Sequence, residues 1–310
     1  MTTYAYSTCL ESAHRIQWKL DEVLGTKRFD PRKLWMPASL SGAAGLEFLS
    51  QDERRVLNQL ELAAYAHLFG YVEEFIAPMV TTLAHEHELD RRDAFEALAN
   101  FAAEEVKHMN LFRRVRDRVQ EQLGVELELL RDETGTARYV FGKSMGAALL
   151  LTSSIEWMTQ RHYLEAFAED GALDPLSKSI FKAHWLEESQ HAQLDHLETV
   201  RAFEAMSAEE RERAVDDLIE LVASVHGLLV QQVAHDVANL ERCVGRTFGA
   251  AHRGELHRAL LGAKRWTFLT TGVTHPNFQK LFAAVTTEAQ RERVSKALER
   301  LFQDDVTVVR

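Results

Sequence analysis

Apolar residues recur every three or four positions over most of the chain, and alternation at period two never persists beyond a few residues. That pattern predicts helices almost throughout. Residues 1–49 are mixed: a short helix over Ser12–Leu24, then an irregular arm over Phe29–Gly45. There Pro31, Pro37, Gly42 and Gly45 interrupt regular structure, while Trp35, Met36 and Leu40 give the arm something to bury. A first long helix opens at Ser50, which with Glu53 forms a capping box, and continues through Leu62, Ala66, Phe69, Ile76, Val80 and Leu83, with a kink expected at Pro78. A second opens near Asp90 and runs through Phe95, Leu98, Ala102, Val106, Met109 and Phe112 to Leu123, where Gly124 stops it. Residues 124–140, with Gly135, read as a loop long enough to cross between two helix pairs. A third helix is expected over Gly142–Glu169. A fourth follows from Asp174-Pro175, a side-chain cap followed by proline at the first helical position, to Ala205.

Ser207 and Glu210 form another capping box and open a helix reaching Arg246; further helices are expected at 251–263, 264–272 and 286–303, with a turn at Pro276-Asn277. No linker separates this part from what precedes it. The predicted organisation is an arm (1–49), a helical bundle (50–206) and C-terminal helices (207–310) packed on the same domain.

Composition narrows the function. The 310 residues are 46% hydrophobic and 27% charged, with five prolines and a formal net charge of -11. This is a globular, helix-rich mixture, and the acidic balance argues against a nucleic-acid partner. Cys9 and Cys243 have no metal or redox spacing and read as reduced thiols in a cytoplasmic protein. No signal peptide and no membrane-spanning stretch are expected.

The chemistry lies in a short signal that occurs twice. Glu105-x-x-His108 and Glu188-x-x-His191 lie 83 residues apart, each within a predicted helix. Glu and His three apart share one helical face, and a buried face of that kind is explained by a metal. Glu156 precedes Glu188 by 32 residues; subtracting 83 gives Glu73, which precedes Glu105 by the same 32. Glu73 also shares its face with Phe69, Ile76 and Val80, and is preferred to Glu74. One Glu and one Glu-x-x-His from each helix pair is the ligand order of di-iron and di-manganese carboxylate bundles. His184 extends the second copy to His-x-x-x-Glu-x-x-His; it reads either as a third imidazole of the site or as a partly buried side chain. Glu104 and Glu187, turned by about 100° from their neighbours, are expected to face solvent or another helix. Asp195, four after His191, reads as a surface residue or as an acceptor for the His191 ring, the surface reading being preferred; His85, His87 and His196 read as solvated face residues, and His67 as a companion of Glu74 should Glu74 be the ligand.

The segments Phe101–His108 with Phe112, Ile155–Met158 and Glu188–His191 resemble the ferritin-like di-iron oxygenase and oxidase superfamily, in particular the ribonucleotide reductase small subunit and its ligand-binding oxidase relatives. The resemblance implies an all-α, ferritin-like four-helix bundle. Leu151 stands where those oxidases carry a cross-linked tyrosine, so that cross-link is not expected. The His184 extension resembles the arylamine N-oxygenases. Together these imply an enzyme that uses O2 to oxidise a small organic substrate, with amine N-oxygenation in view. The implied metal site is Glu73, Glu105, His108, Glu156, His184, Glu188 and His191, holding two Fe ions or a Mn/Fe pair. An electron donor and a homodimer are also implied. The alternative is a ferroxidase, metal-storage or ligand-binding protein of the same fold, which the additional arm and C-terminal layer disfavour.

Overall fold

The computed structural model describes residues 4–87, 91–131 and 135–308. Among these residues the fold is all-α; no strand forms, and one isolated parallel bridge joins Leu34 to Leu173. Four long helices make the core: α4 (Gln51–Glu86), α5 (Arg92–Leu123), α7 (Met145–His162) and α8 (Pro175–Ala205). Phe69 meets Phe112 and Glu74 meets Arg113, pairs nearly equidistant from the turn after α4, so α4 and α5 run antiparallel. Ser153 facing Thr199 and Gln160 reaching the Trp185 carbonyl give α7 and α8 the same relation.

The helix starts follow the expected chemistry. Ser50 accepts from the Glu53 amide while the Glu53 carboxylate accepts from the Ser50 amide, and Ser207 and Glu210 repeat the arrangement at α9 (Ala208–Val244). Asp174 accepts from the amides of Leu176 and Ser177 and so caps α8. Gly124 and Gly245 end α5 and α9 in the left-handed conformation, at φ 68°. Pro78 lies on the exposed side of α4, where the backbone carbonyl it leaves without a donor can be hydrated, and the helix continues through it to Glu86.

Several boundaries differ from expectation. The first helix is α1 (Tyr6–Arg15), which buries Tyr6, Cys9 and Ala13; the chain then leaves the helix and α2 spans only Leu20–Val23. The expected opening of α5 at Asp90 lies outside the described residues. Gly135, read as loop, begins α6 (Gly135–Phe141). The third core helix is shorter than expected, because α7 passes into a π-helical turn at Tyr163–Phe167. In the C-terminal part, α10 (Ala250–Arg265) passes into a second π-helical turn (Trp266–Thr270) and α11 (Thr271–Val273). Pro276-Asn277 starts a helix, α12 (Pro276–Val285), rather than marking a turn: proline occupies the first helical position and His275 accepts from the Asn277 amide. α13 spans Glu288–Val308.

The arm packs as anticipated, with Trp35 and Met36 fully buried, and also contains α3 (Ala38–Ser41). Asn58 fixes it by accepting from the amides of Trp35 and Met36 and donating to the Met36 carbonyl. α9 lies against both α4 and α7, and α10 and α13 lie against α9. By length and composition alone α9 could cross a membrane. Here its apolar face packs on the core, and two of its buried polar residues hold the crossover: Asn239 bonds both the N–H and C=O of Glu128, and Gln232 accepts from the Leu130 amide. Lys264 on α10 sits buried between Glu61 of α4 (2.5 Å) and Asp236 of α9 (2.9 Å), an ion-paired junction of three helices.

α11 approaches α7 so closely that a Cβ on Gly272 would stand 1.9 Å from the Ser154 carbonyl oxygen. Gly272→Ala is therefore expected to destabilise the fold by about 1–3 kcal/mol. Gly227→Ala, in the interior of α9 with open space around it, is expected to stabilise it by up to about 1 kcal/mol. Thermal or denaturant unfolding of the two variants should move the midpoint in opposite directions.

Candidate metal centre

Helical spacing brings the predicted residues to one level of the bundle. Glu73 on α4, Glu105 and His108 on α5, Glu156 on α7, and His184, Glu188 and His191 on α8 are all buried, none more than 3% exposed. Six of them form two overlapping groups, Glu73, His108, His184, Glu188 and Glu105, His108, Glu188, His191, in each of which one donor atom per residue lies within 4.8 Å of all the others. Glu188 and His108 are common to both. Glu188 Oε1 is 2.9 Å from His108 Nδ1 and 2.7 Å from His184 Nε2, while Oε2 is 3.0 Å from His191 Nδ1. Glu105 Oε1 approaches His191 Nδ1 at 2.9 Å, and Glu73 Oε1 approaches His184 Nε2 at 3.4 Å. Glu156 belongs to neither group and joins them through its carboxyl contact with Glu188.

The chemistry of these atoms fits metal ions. Both carboxylate oxygens of Glu73 and of Glu105, Oε2 of Glu156, Nδ1 of His108 and Nε2 of His184 are buried without a well-aligned hydrogen bond, even where a cluster neighbour stands 2.7–3.4 Å away. Orphaned donors and acceptors of this kind are rare in a core and costly; here they share one focus. Protonation is displaced in opposite directions across the cluster. Burial pushes Glu73 up to about 8 against the pull of His184, and burial together with Glu188 pushes Glu156 well up. Burial would also raise Glu188, but His184 and His191 outweigh it and hold Glu188 well below the usual carboxylate range. Burial would lower His108 and His191, yet the carboxylates around them raise both well above an ordinary imidazole. Without metal, protons on these rings thus take the place of cations.

A second layer crosses between the helices. His108 of α5 donates from Nε2 to Glu187 of α8 at 2.8 Å, and His191 of α8 donates from Nε2 to Glu104 of α5 at 2.8 Å. Glu187 also receives Lys107 and Glu104 receives Gln190, positions that are themselves 83 apart. Fixing the proton on Nε2 aims each Nδ1 lone pair at the cluster. Glu104 and Glu187 are therefore buried partners, neither facing solvent. Phe101 stacks on His191 at 3.9 Å, and Trp18, delivered by the extended stretch after α1, stacks on His108 at 5.9 Å.

Other expectations need correction. Asp195 is buried, not superficial, and burial pushes it up to about 8; its partner is Thr152 rather than His191. His87 is buried and bonds Glu198, which also accepts from Tyr6 and Arg201 and so ties α1 and the end of α4 to α8. His196 is half-buried against Tyr4, whereas His85 is exposed as expected. Glu74 pairs with Arg113 on the outer side and His67 bonds the Leu130 carbonyl, so neither reaches the cluster. One buried chain carries no sequence signal. Thr271 donates to the Thr267 carbonyl and so accepts from His162 Nε2; His162 Nδ1 in turn accepts from the Tyr65 hydroxyl. This holds the Tyr65 ring against Phe69 and Phe268.

Replacing an outer carboxylate by an amide removes its charge and one of its two acceptor oxygens, which weakens its hold on the ring without touching the inner cluster. Glu187→Gln and Glu104→Gln are each expected to weaken metal affinity by about 10–100-fold while preserving the fold. Chelator competition monitored alongside circular dichroism checks this.

The family model for the p-aminobenzoate N-oxygenase AurF matches residues 7–249. No functionally curated protein matches the chain. Among solved structures, the R2-like ligand-binding oxidase V72A mutant with anaerobically reconstituted Mn/Fe cofactor is similar at 15% identity and a TM-score of 0.39, over 84% of this chain and 93% of that one. The R2-like ligand-binding oxidase with aerobically reconstituted metal cofactor after photoconversion is similar at 14% identity and a TM-score of 0.42, over 86% and 93%. The family match spans most of the chain and includes every residue of the buried Glu/His cluster: the chain belongs to the p-aminobenzoate N-oxygenase AurF family, and with it to the ferritin-like di-iron oxygenases and oxidases.

Proposed function

We propose that Glu73, Glu105, Glu156, Glu188, His108, His184 and His191 hold two iron ions and that the enzyme uses them to N-oxygenate a small amine. The observation that carries this reading is the convergence of orphaned buried donor atoms on one focus. Once ionised, the four carboxylates would carry four negative charges, and two divalent ions would neutralise them with the three imidazoles uncharged. Such a metal pair supplies the redox chemistry that activates O2. In the overall reaction an N–H bond becomes N–OH; one oxygen atom enters the product and the other leaves as water. Two electrons and two protons come from an external donor.

The chain's own residues set the conditions. Glu104 and Glu187 hold the His191 and His108 rings in one tautomer. Phe69 and Phe112 pack edge-on against His184 at 5.7 and 4.8 Å and help keep water away from it. His184 raises the number of imidazoles in the cluster to three, and each of the two groups then holds two carboxylates and two imidazoles.

Because Glu188 serves both groups, Glu188→Ala is expected to abolish bound iron, whereas Glu74→Ala should retain two ions per chain; iron analysis of the purified variants decides this. Binding must displace protons from the raised imidazoles and from Glu73 at about 8. Apparent iron affinity should accordingly fall as pH is lowered from about 8 to about 6, and a pH-independent affinity over that range would count against the assignment. Incubation with O2, a reductant and an aromatic amine should give a hydroxylamine or a more oxidised nitrogen product; reduction of O2 without any N–O product would contradict the N-oxygenase reading.

A further inference from the structure

Between α4, α7 and α9 lies a narrow apolar cavity of about 50 Å³. Its walls hold Leu68 and Phe75 of α4, Leu151 and Ile155 of α7, Leu229 of α9 and Phe268 of the second π-helical turn. None of the cluster residues lines it, and Phe69 stands between its Phe268 wall and His184. Val72 and Ile155 line it and immediately precede Glu73 and Glu156 in the chain, and Phe268 packs on Phe69, whose edge meets His184. No described residue lining it carries a charge; its two hydroxyl groups, of Tyr71 and Thr136, are neutral.

Resting on the N-oxygenase reading, we infer that this cavity binds the substrate and that the substrate is an uncharged arylamine without a carboxylate. An arylamine shares its nitrogen lone pair with the ring and is neutral at neutral pH, while an alkylamine is a cation there, as lysine is. Burying either an alkylammonium or a benzoate against these walls would strand a charge with no partner. The matching family model is described by p-aminobenzoate, an anion, so this chain departs from that description in the charge its cavity can accept. A groove outside α4 and α5 does contain Arg113 and Arg116, but Glu74 and Asp117 already pair with them.

The test is calorimetric titration of the metal-loaded full chain with 4-methylaniline, 4-aminobenzoate and benzylamine. The neutral amine should bind at least tenfold more tightly than either charged compound. Leu228, half-buried in the lining, supplies the second arm. Leu228→Lys should reduce the preference for 4-methylaniline over 4-aminobenzoate at least tenfold, and Leu228→Met should leave it unchanged. Equal or tighter binding of 4-aminobenzoate, no binding of 4-methylaniline, or a preference indifferent to Leu228→Lys would each overturn the inference. Failure of the underlying reading looks different: 4-methylaniline would bind as expected and yet leave without a new N–O bond.

Discussion

Burying carboxylates and imidazoles together is unfavourable unless their charges are shared, and this constraint shapes the structure. Glu73, Glu105, Glu156 and Glu188 come from all four core helices, with three imidazoles among them. In the metal-free chain they settle the conflict with protons, which raises His108 and His191 and lowers Glu188. Two divalent cations would settle it without them. The outer layer then follows. Two of the inner histidines have the far nitrogen bonded to a carboxylate on the opposite helix, so α5 and α8 are joined by His108–Glu187 and His191–Glu104 as well as by apolar packing.

The elements outside the four helices cover the bundle. The arm anchors on Asn58 of α4. The π-helical turn after α7 and the one after α10 let α11 rest on α7 at Gly272, which places Thr271 against His162 and Phe268 against the Tyr65 and Phe69 rings. α9 covers the remaining side and supplies one wall of the apolar cavity. The two cysteines remain free thiols, and the bundle is held by packing and by buried polar junctions such as Lys264 with Glu61 and Asp236.

What the sequence made legible was what repeats or is local. Capping boxes at Ser50 and Ser207 depend on residues three apart, and both formed. The 83-residue internal offset pointed to Glu73 and Glu156, which the fold brings to the same level as the duplicated Glu-x-x-His. The same offset also relates Glu104 to Glu187 and Lys107 to Gln190, but a side chain turned by about 100° faces either solvent or another helix, and spacing alone does not choose between them. In a bundle whose helices are covered by a further layer, that direction is also interior. His162, Tyr65 and Thr271 were not legible, since each depends on a partner about a hundred residues away. Pro276 misled because a proline that breaks one helix also starts the next.

The central claim is that the buried cluster is a two-metal site, and the most direct measurement is anomalous diffraction at the iron edge from crystals of the iron-loaded protein. The account predicts two peaks, one among Glu73, His108, His184 and Glu188, the other among Glu105, Glu188 and His191, with Glu188 between them. A single peak, or iron bound away from these residues, would contradict it.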